Sequence, residues 1–261
     1  MVEKKEINDL VVLGRAAPEP MDEDGRHTVC LGGYSEDHGF IRLYPTKMEM
    51  KQCKRWNVVS VPVEHDDSHD PRDESYKIQG SKKDWGELHK KVEKTGRIED
   101  KEEQIKLINR LAEDCPAKLN AQKKSLGIVD PEEILDVYLE SQDDSPIQMD
   151  LVGNELKGKK DYPYKLYIKY RCENCDQKTP HNQHCIEWGM YRYWDKNDEY
   201  EGVIDALRVN DDDYKKYFFV GNLRYHPTSF IVISVLRFKR EKWMRKYGIK
   251  VGNQSGFNEW M

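Results

Sequence analysis

Cys172-Glu-Asn-Cys175 is followed by His181, His184 and Cys185 within ten residues. Two thiolates spaced C-x2-C at a turn can grip one Zn2+, and a second pair at H-x3-C, His181 and Cys185, would complete a tetrahedron. His184 is the alternative fourth ligand. It adjoins Cys185, so an extended backbone would send the two side chains to opposite sides and only one of them would reach the ion. Four protein ligands leave no position for water, which makes this a structural rather than a catalytic zinc site. The plain alternative is a set of reduced cysteines with incidental histidines. A redox C-x-x-C is disfavoured because no βαβ pattern surrounds it.

A second kind of chemistry is suggested by cations interleaved with flat rings. Cations follow phosphates while rings stack on unpaired bases, as a groove for single-stranded nucleic acid requires. In Tyr164-Lys-Leu-Tyr-Ile-Lys-Tyr-Arg171, period two puts Leu166, Ile168 and Tyr170 on one strand face and Lys165, Tyr167, Lys169 and Arg171 on the other. Arg237 to Lys250 carries seven basic residues, one acid and three aromatics. Arg237, Lys239, Arg240, Trp243, Arg245 and Lys246 are its candidate contacts. Arg42 and Tyr44 form a similar face nearer the N-terminus. The competing explanation is that these rings fill a β-rich core and the charges are ordinary surface. His65-Asp-Asp-Ser-His-Asp70 could hold a divalent cation for phosphodiester hydrolysis, although a polar loop has the same composition.

These residues must be positioned by short strands. Leu10–Leu13, Thr28–Leu31, Phe40–Tyr44 and Trp56–Val63 alternate or run apolar between turn signals and predict a first β unit over 1–80. Residues 81–118 read as a charged helical connector, with amphipathic helices on either side of Gly96. A second β unit over 119–261 would begin at Ser125–Val129, continue through a short helix at 131–140 and a strand at 146–152, and close with Tyr217–Val220 and Ser229–Phe238. It would carry the zinc insertion at about 172–185 and the basic C-terminal segment. The expected class is therefore mainly β with helical insertions.

The order of several short motifs carries a resemblance. Thr28-Val-Cys-Leu-Gly-Gly-Tyr34, Gly39-Phe-Ile-Arg-Leu-Tyr-Pro45, Trp56 and Asp70-Pro-Arg-Asp-Glu-Ser75 resemble the N-terminal half of a prokaryotic dual OB-fold domain family. Ser125–Val129, the Cys172/Cys175/His181 cluster leading to Ile186-Glu-Trp188, and Phe219-Val-Gly-Asn222 followed by Pro227 and Phe230 are similar to its second half. The resemblance implies two OB-like barrels and a nucleic-acid-binding role as an accessory to helicase, nuclease, mobile-element or defence systems. It brings no catalytic residues with it. Departures are Asp73 after Arg72, where a proline is more usual, and the unsettled fourth metal ligand.

Composition sets the outer limits. The 261 residues carry a net charge of −5, divided into −10 over residues 1–150 and +5 over 151–261, and 20 of the 27 aromatic residues lie in that positive part. A whole-molecule polycation is excluded, and no apolar run approaches the roughly 18 residues of a membrane span. The first ten residues lack the apolar stretch of a signal peptide, which leads us to expect a cytoplasmic location. No P-loop, dinucleotide fingerprint, nucleophile elbow or HExxH is present, so nothing argues strongly for an enzyme. The expectation is an accessory module that binds nucleic acid, single-stranded DNA or RNA rather than duplex, beside a larger protein such as a helicase or nuclease. A protein-interaction subunit of such a complex and a metal-dependent nuclease are the alternatives.

Overall fold

The structure is a computed structural model and describes residues 2–20, 27–47, 50–65, 70–80, 83–113, 115–142, 162–173, 175, 177–197 and 199–246. In chain order the elements are β1 (Glu3–Arg15), β2 (Glu19–Pro20), β3 (His27–Ser35), β4 (Gly39–Lys47), β5 (Asn57–His65), β6 (Ser75–Ile78), a 3-10 helix (Trp85–Lys91), β7 (Glu93–Arg97) and α1 (Lys101–Leu111). There follow β8 (Ala112–Glu113), α2 (Pro116–Ala121), β9 (Leu126–Val129), β10 (Glu133–Ser141), β11 (Tyr164–Arg171), β12 (His181–Cys185), α3 (Trp188–Trp194), α4 (Gly202–Leu207), β13 (Tyr214–Leu223), β14 (His226–Lys239) and α5 (Arg240–Lys246). Among these, no helix is long and apolar enough to cross a membrane.

The first β unit is a closed five-stranded barrel in the order β1-β3-β4-β6-β5, with β5 returning to pair with β1. Neighbours are antiparallel except β4 and β6, which run parallel. Closure and order are consistent with an OB-like barrel. The alternation in β5 explains why one wall forms: Asn57, Val59, Val61 and Val63 are buried while Val58, Ser60 and Pro62 are not fully so. Leu31, Ile41, Leu43 and Ile78 fill the same interior with Ile7, Leu10 and Val12.

The second β unit is a seven-stranded sheet in the order β10-β11-β12-β14-β13-β9-β8, and among the described residues no pairing closes it. The near-continuous apolar run of β14 has a simple cause. Phe230, Val232 and Val235 face a core shared with α3 and α4, whereas Ile233, Leu236 and Phe238 face a core shared with α1 and the barrel residues Leu13 and Trp56. A strand covered on both faces has no polar side to display.

Three sequence expectations are corrected. Within the connector only 101–111 and the start of α2 at 116–118 are α-helical; Trp85 and Leu88 sit in 3-10 geometry and 93–97 is extended, because β6 pairs only with Val63 and Glu64 of β5 and leaves Asn57–Ser60 of that edge for β7. Residues 133–141 form strand β10, not a helix: Val137 and Leu139 face inward while the strand zips along β11 in antiparallel register. The connector is not a separate layer either, since Ile105, Leu107 and Ile108 of α1 are buried in the core between the two units. The strand expected at 146–152 lies outside the described residues.

The two units meet closely. A Cβ built on Gly32 of β3 would overlap the Phe219 ring of β13, so only glycine lets the sheet seat on the barrel there. Gly32→Ala is expected to cost about 1–3 kcal/mol by overpacking. Gly86→Ala, where a Cβ meets nothing within 4 Å, is the control. Thermal unfolding of both variants checks this, and equal midpoints would refute the close-approach argument.

Candidate functional site

Pro116 at the first turn of α2 and the extended backbone of Cys115 put the Cys115 thiol at the helix start, where Sγ also accepts from the Ala117 amide. From the other side, β11 runs into Cys172 and Cys175, and β12 presents His181 opposite Tyr170. The three ligand atoms converge. Cys115 Sγ lies 3.2 Å from Cys175 Sγ and 3.3 Å from His181 Nε2, and Cys175 Sγ lies 3.4 Å from His181 Nε2. In a tetrahedral site with metal–sulfur distances of ~2.3 Å and metal–nitrogen distances of ~2.0 Å, neighbouring ligand atoms are roughly 3.5–3.8 Å apart. Cys115, Cys175 and His181 therefore form a group that could hold a metal ion. Cys172, buried just past the end of β11, is not in that group of three.

Cys185 does not join them. The H-x3-C spacing falls along a strand, where four residues at ~3.3 Å each carry Cys185 about 13 Å away from His181. There it pairs with Leu166, fully buried, and burial pushes its thiol far up. His184 points to the opposite face from His181's neighbours and stacks against Tyr167 at 5.5 Å. Sequence reasoning missed Cys115, whose only signal was a spare cysteine directly before a proline that opens a helix.

The cationic face of β11 forms as the alternation implied, but its company changes its chemistry. Register sets Lys165 opposite Glu140, Lys169 opposite Asp136 and Arg171 opposite Glu133, with Arg171 and Glu133 3.5 Å apart. Tyr167 stacks on Tyr138 at 5.6 Å. An acidic strand offsets the basic one, so this face is not the polycationic strip expected.

The C-terminal segment is in part structural. Trp243 packs into the core between the units and its Nε1 donates to the Tyr217 hydroxyl at 2.9 Å. Arg237 is half-buried, and burial pulls its pKa down. Arg240 Nε donates to the Asp212 carbonyl at 3.0 Å, while Lys239 is exposed. The side chains of Arg245 and Lys246 lie outside the described residues, as do residues 66–69 of the acidic cluster. Of that cluster's ends, His65 Nδ1 sits 2.7 Å from the Ser75 carbonyl oxygen and Asp70 is engaged by Arg72.

Arg42 is buried, not a surface contact. Its Nη1 donates to Ser75 Oγ at 3.1 Å and Ser125 Oγ at 3.0 Å, and Nη2 donates to the Ser125 carbonyl at 3.0 Å. Glu74 completes the junction by accepting from the Ser125 amide and hydroxyl, each at 2.8 Å. Nearby, Arg72 grips Asp70 with two nitrogens, at 2.8 and 2.6 Å, and donates to the Asn222 carbonyl at 2.9 Å.

Beside these arginines a cleft of about 460 Å3 opens between the barrel and the second sheet. Cys30, Arg42 and Tyr44 of β3 and β4 line one wall, with Glu19 from the loop after β1 and Asp70 and Arg72 from the loop after β5. Gly221, Ile231 and Ile233 line the other, and the hairpin tip Leu223-Arg224-Tyr225 forms the lip. Among the described residues four large apolar side chains are exposed, and three of them, Tyr44, Leu223 and Tyr225, border this cleft. The guanidinium of Arg224 lies over the Tyr225 ring, 5.2 Å from its centroid. Sequence reasoning named Arg42 and Tyr44 but passed over Arg224 and Tyr225, whose signal was an arginine and an aromatic ring in a two-residue hairpin turn.

Two outcomes are expected from this geometry. Metal analysis of purified protein should find close to one ion per chain. Cys115→Ser and Cys175→Ser should lose it and Cys185→Ser retain it; the reverse pattern would overturn the ligand set. Metal needs thiolate and neutral imidazole; burial raises the Cys115 thiol and favours its protonation, whereas burial lowers the His181 imidazole and keeps it neutral further into acid, so acid should release the ion by protonating the thiolates. At Asp70 burial alone would raise the carboxyl, but the hydrogen bonds and charge of Arg72 outweigh it and hold the carboxyl below its ordinary value. A carboxyl depressed in the folded state contributes stability that is present above about pH 4 and lost as pH falls through the lower folded value. Asp70→Asn should flatten that acid limb in pH-dependent melting, and an unchanged limb would remove the pair from the account.

Residues 6–110, which span the closed barrel and nearly all of α1, match the model of a family described as Domain of unknown function (DUF8758). No curated protein matches the chain. Over its first unit, then, the chain is similar to a family whose description assigns no activity.

Proposed function

We propose that the protein is a nucleic-acid-binding accessory module that takes unpaired DNA or RNA into the cleft on its first barrel. One observation carries the reading. OB-folds bind oligonucleotides on the face of their second and third strands, flanked by the loops between strands one and two and between strands four and five. Counted around this barrel, those are β3 and β4 with the loops after β1 and β5, and they supply Cys30, Arg42, Tyr44, Glu19, Asp70 and Arg72 to the cleft. Exposed Tyr44 and Tyr225 give a base flat surfaces to stack on, and Arg224 gives a phosphate a cation.

In this reading the metal is structural Zn2+, held by Cys115, Cys172, Cys175 and His181. Thiolates with one imidazole suit zinc, and a full protein ligand set leaves it no substrate position. Its role is to tie α2 to the ends of β11 and β12. The nuclease alternative gains no support from the described residues, where His65 and Asp70 are engaged by the protein itself.

Fluorescence anisotropy with short single-stranded oligonucleotides tests the proposal. Stacking on an aromatic side chain contributes about 1–3 kcal/mol per base, so Tyr225→Ala should weaken binding roughly 5- to 150-fold. Arg224→Glu should weaken it too, whereas Lys169→Glu on the neutralised face of β11 should have little effect. Unchanged affinity in Tyr225→Ala and Arg224→Glu would sink the assignment of the cleft.

A further inference from the structure

The face that an OB-like barrel would offer to a run of nucleotides is mostly covered here. Outward from the cleft along β3 and β4 come Gly32, Phe40 and Tyr34. The Phe219 ring closes over Gly32 and stacks on Phe40 at 6.1 Å between centroids. Tyr34 lies under the guanidinium of Arg110 from α1, 5.6 Å from its ring centroid, and Arg110 is itself paired with Glu36. What remains is a pocket of about 460 Å3, within the ~300–1,000 Å3 of small-ligand sites. It is closed at its inner end where Arg42 meets Ser125.

Charge points the same way. Both terminal nitrogens of Arg42 already donate to Ser75 and Ser125, and all three nitrogens of Arg72 to Asp70 and Asn222, within the protein. Lys77 on the wall stands opposite Glu64 in register and is offset by it, so neutralising phosphate falls chiefly to Arg224 at the lip, while Glu19 also opposes a chain of phosphates. A site with aromatic edges, room for one base and sugar, and cationic charge for about one phosphate does not track a backbone.

We infer that the cleft accepts one unpaired nucleotide at a strand end, so that the protein recognises termini and not the interior of a strand. This rests on the nucleic-acid reading above and deepens it. A terminal nucleotide can enter a dead-ended pocket with the rest of the strand leaving past Tyr225. An interior nucleotide would need two exits, and the Phe219 and Arg42 contacts remove one.

The test compares a linear oligonucleotide of about 12 nucleotides with the covalently closed circle of the same sequence, as DNA and as RNA, and repeats the linear form with a bulky block on the 3′ or the 5′ end. The linear form should bind at least tenfold more tightly than the circle. Blocking one of the two ends should abolish that advantage, and the matching nucleoside monophosphate should compete. For a single strand log K falls by about 0.7 per log unit of salt for each phosphate neutralised, so for one phosphate the slope should be about −0.7 and not several times that. Equal binding of circle and linear form with a steep salt slope would overturn the end-recognition inference and leave nucleic-acid binding standing. No binding of either form would overturn both. Leu223→Ser, at an exposed lip position, supplies a variant that keeps the fold. It should weaken linear binding and circle binding unequally, and an equal loss would also count against a terminal pocket.

Discussion

The buried guanidinium of Arg42 is the interaction around which the two halves of this protein are arranged. It projects from the outside of the barrel, is 4% exposed, and burial lowers its pKa, so its charge is tolerable only with donors fully engaged. The partners come from both sides: Ser75 and the Glu74 segment from the barrel, Ser125 from the second unit. Two further arginines repeat the device. Arg72 reaches Asn222, and Arg55 reaches Glu187 at 2.7 Å and the Val235 carbonyl at 3.1 Å. If the sheet lifted away each would lose its partners from the second unit, Arg42 keeping Ser75 and Arg72 keeping Asp70, which makes separation of the halves costly beyond the loss of apolar contact.

This junction explains both the cleft and its limits. The sheet that satisfies Arg42 must lie across the outer face of β3 and β4, and in doing so it covers most of the surface an OB-like barrel has to offer. The opening that survives is bounded by residues whose first duty is holding the halves together. The cleft and the junction therefore share side chains, and in the proposed reading a ligand there would contact both units at once.

The metal group serves the same architecture from the far side. Cys115 belongs to the connector, whereas Cys175 lies between β11 and β12 and His181 opens β12. An ion there would fix α2 against the second sheet and so set where Ser125, four residues beyond α2's end at the entrance to β9, meets Arg42. A stapled loop and a buried arginine thus converge on one short stretch of chain.

Much of this was legible in the residues alone. Period-two alternation in 57–63 and 164–171 marked two strands, the apolar run at 229–238 marked a strand covered on both sides, and C-x2-C with His181 marked two of the three residues that could hold a metal ion, because such patterns reflect local geometry. Pairing was not legible. Residues 93–97 and 133–141 became strands because neighbouring sheet edges needed partners, and the basic face of β11 lost its excess charge because β10 zipped against it with acids in register. Cys115 was invisible as a ligand, and Cys185 plausible as one, because sequence spacing does not say whether four residues turn or extend. The sequence by itself determined which residues could bind metal, phosphate or a base; the tertiary structure decided which of them meet, since contacts across β-sheets join positions far apart in the chain and depend on register that no local pattern encodes.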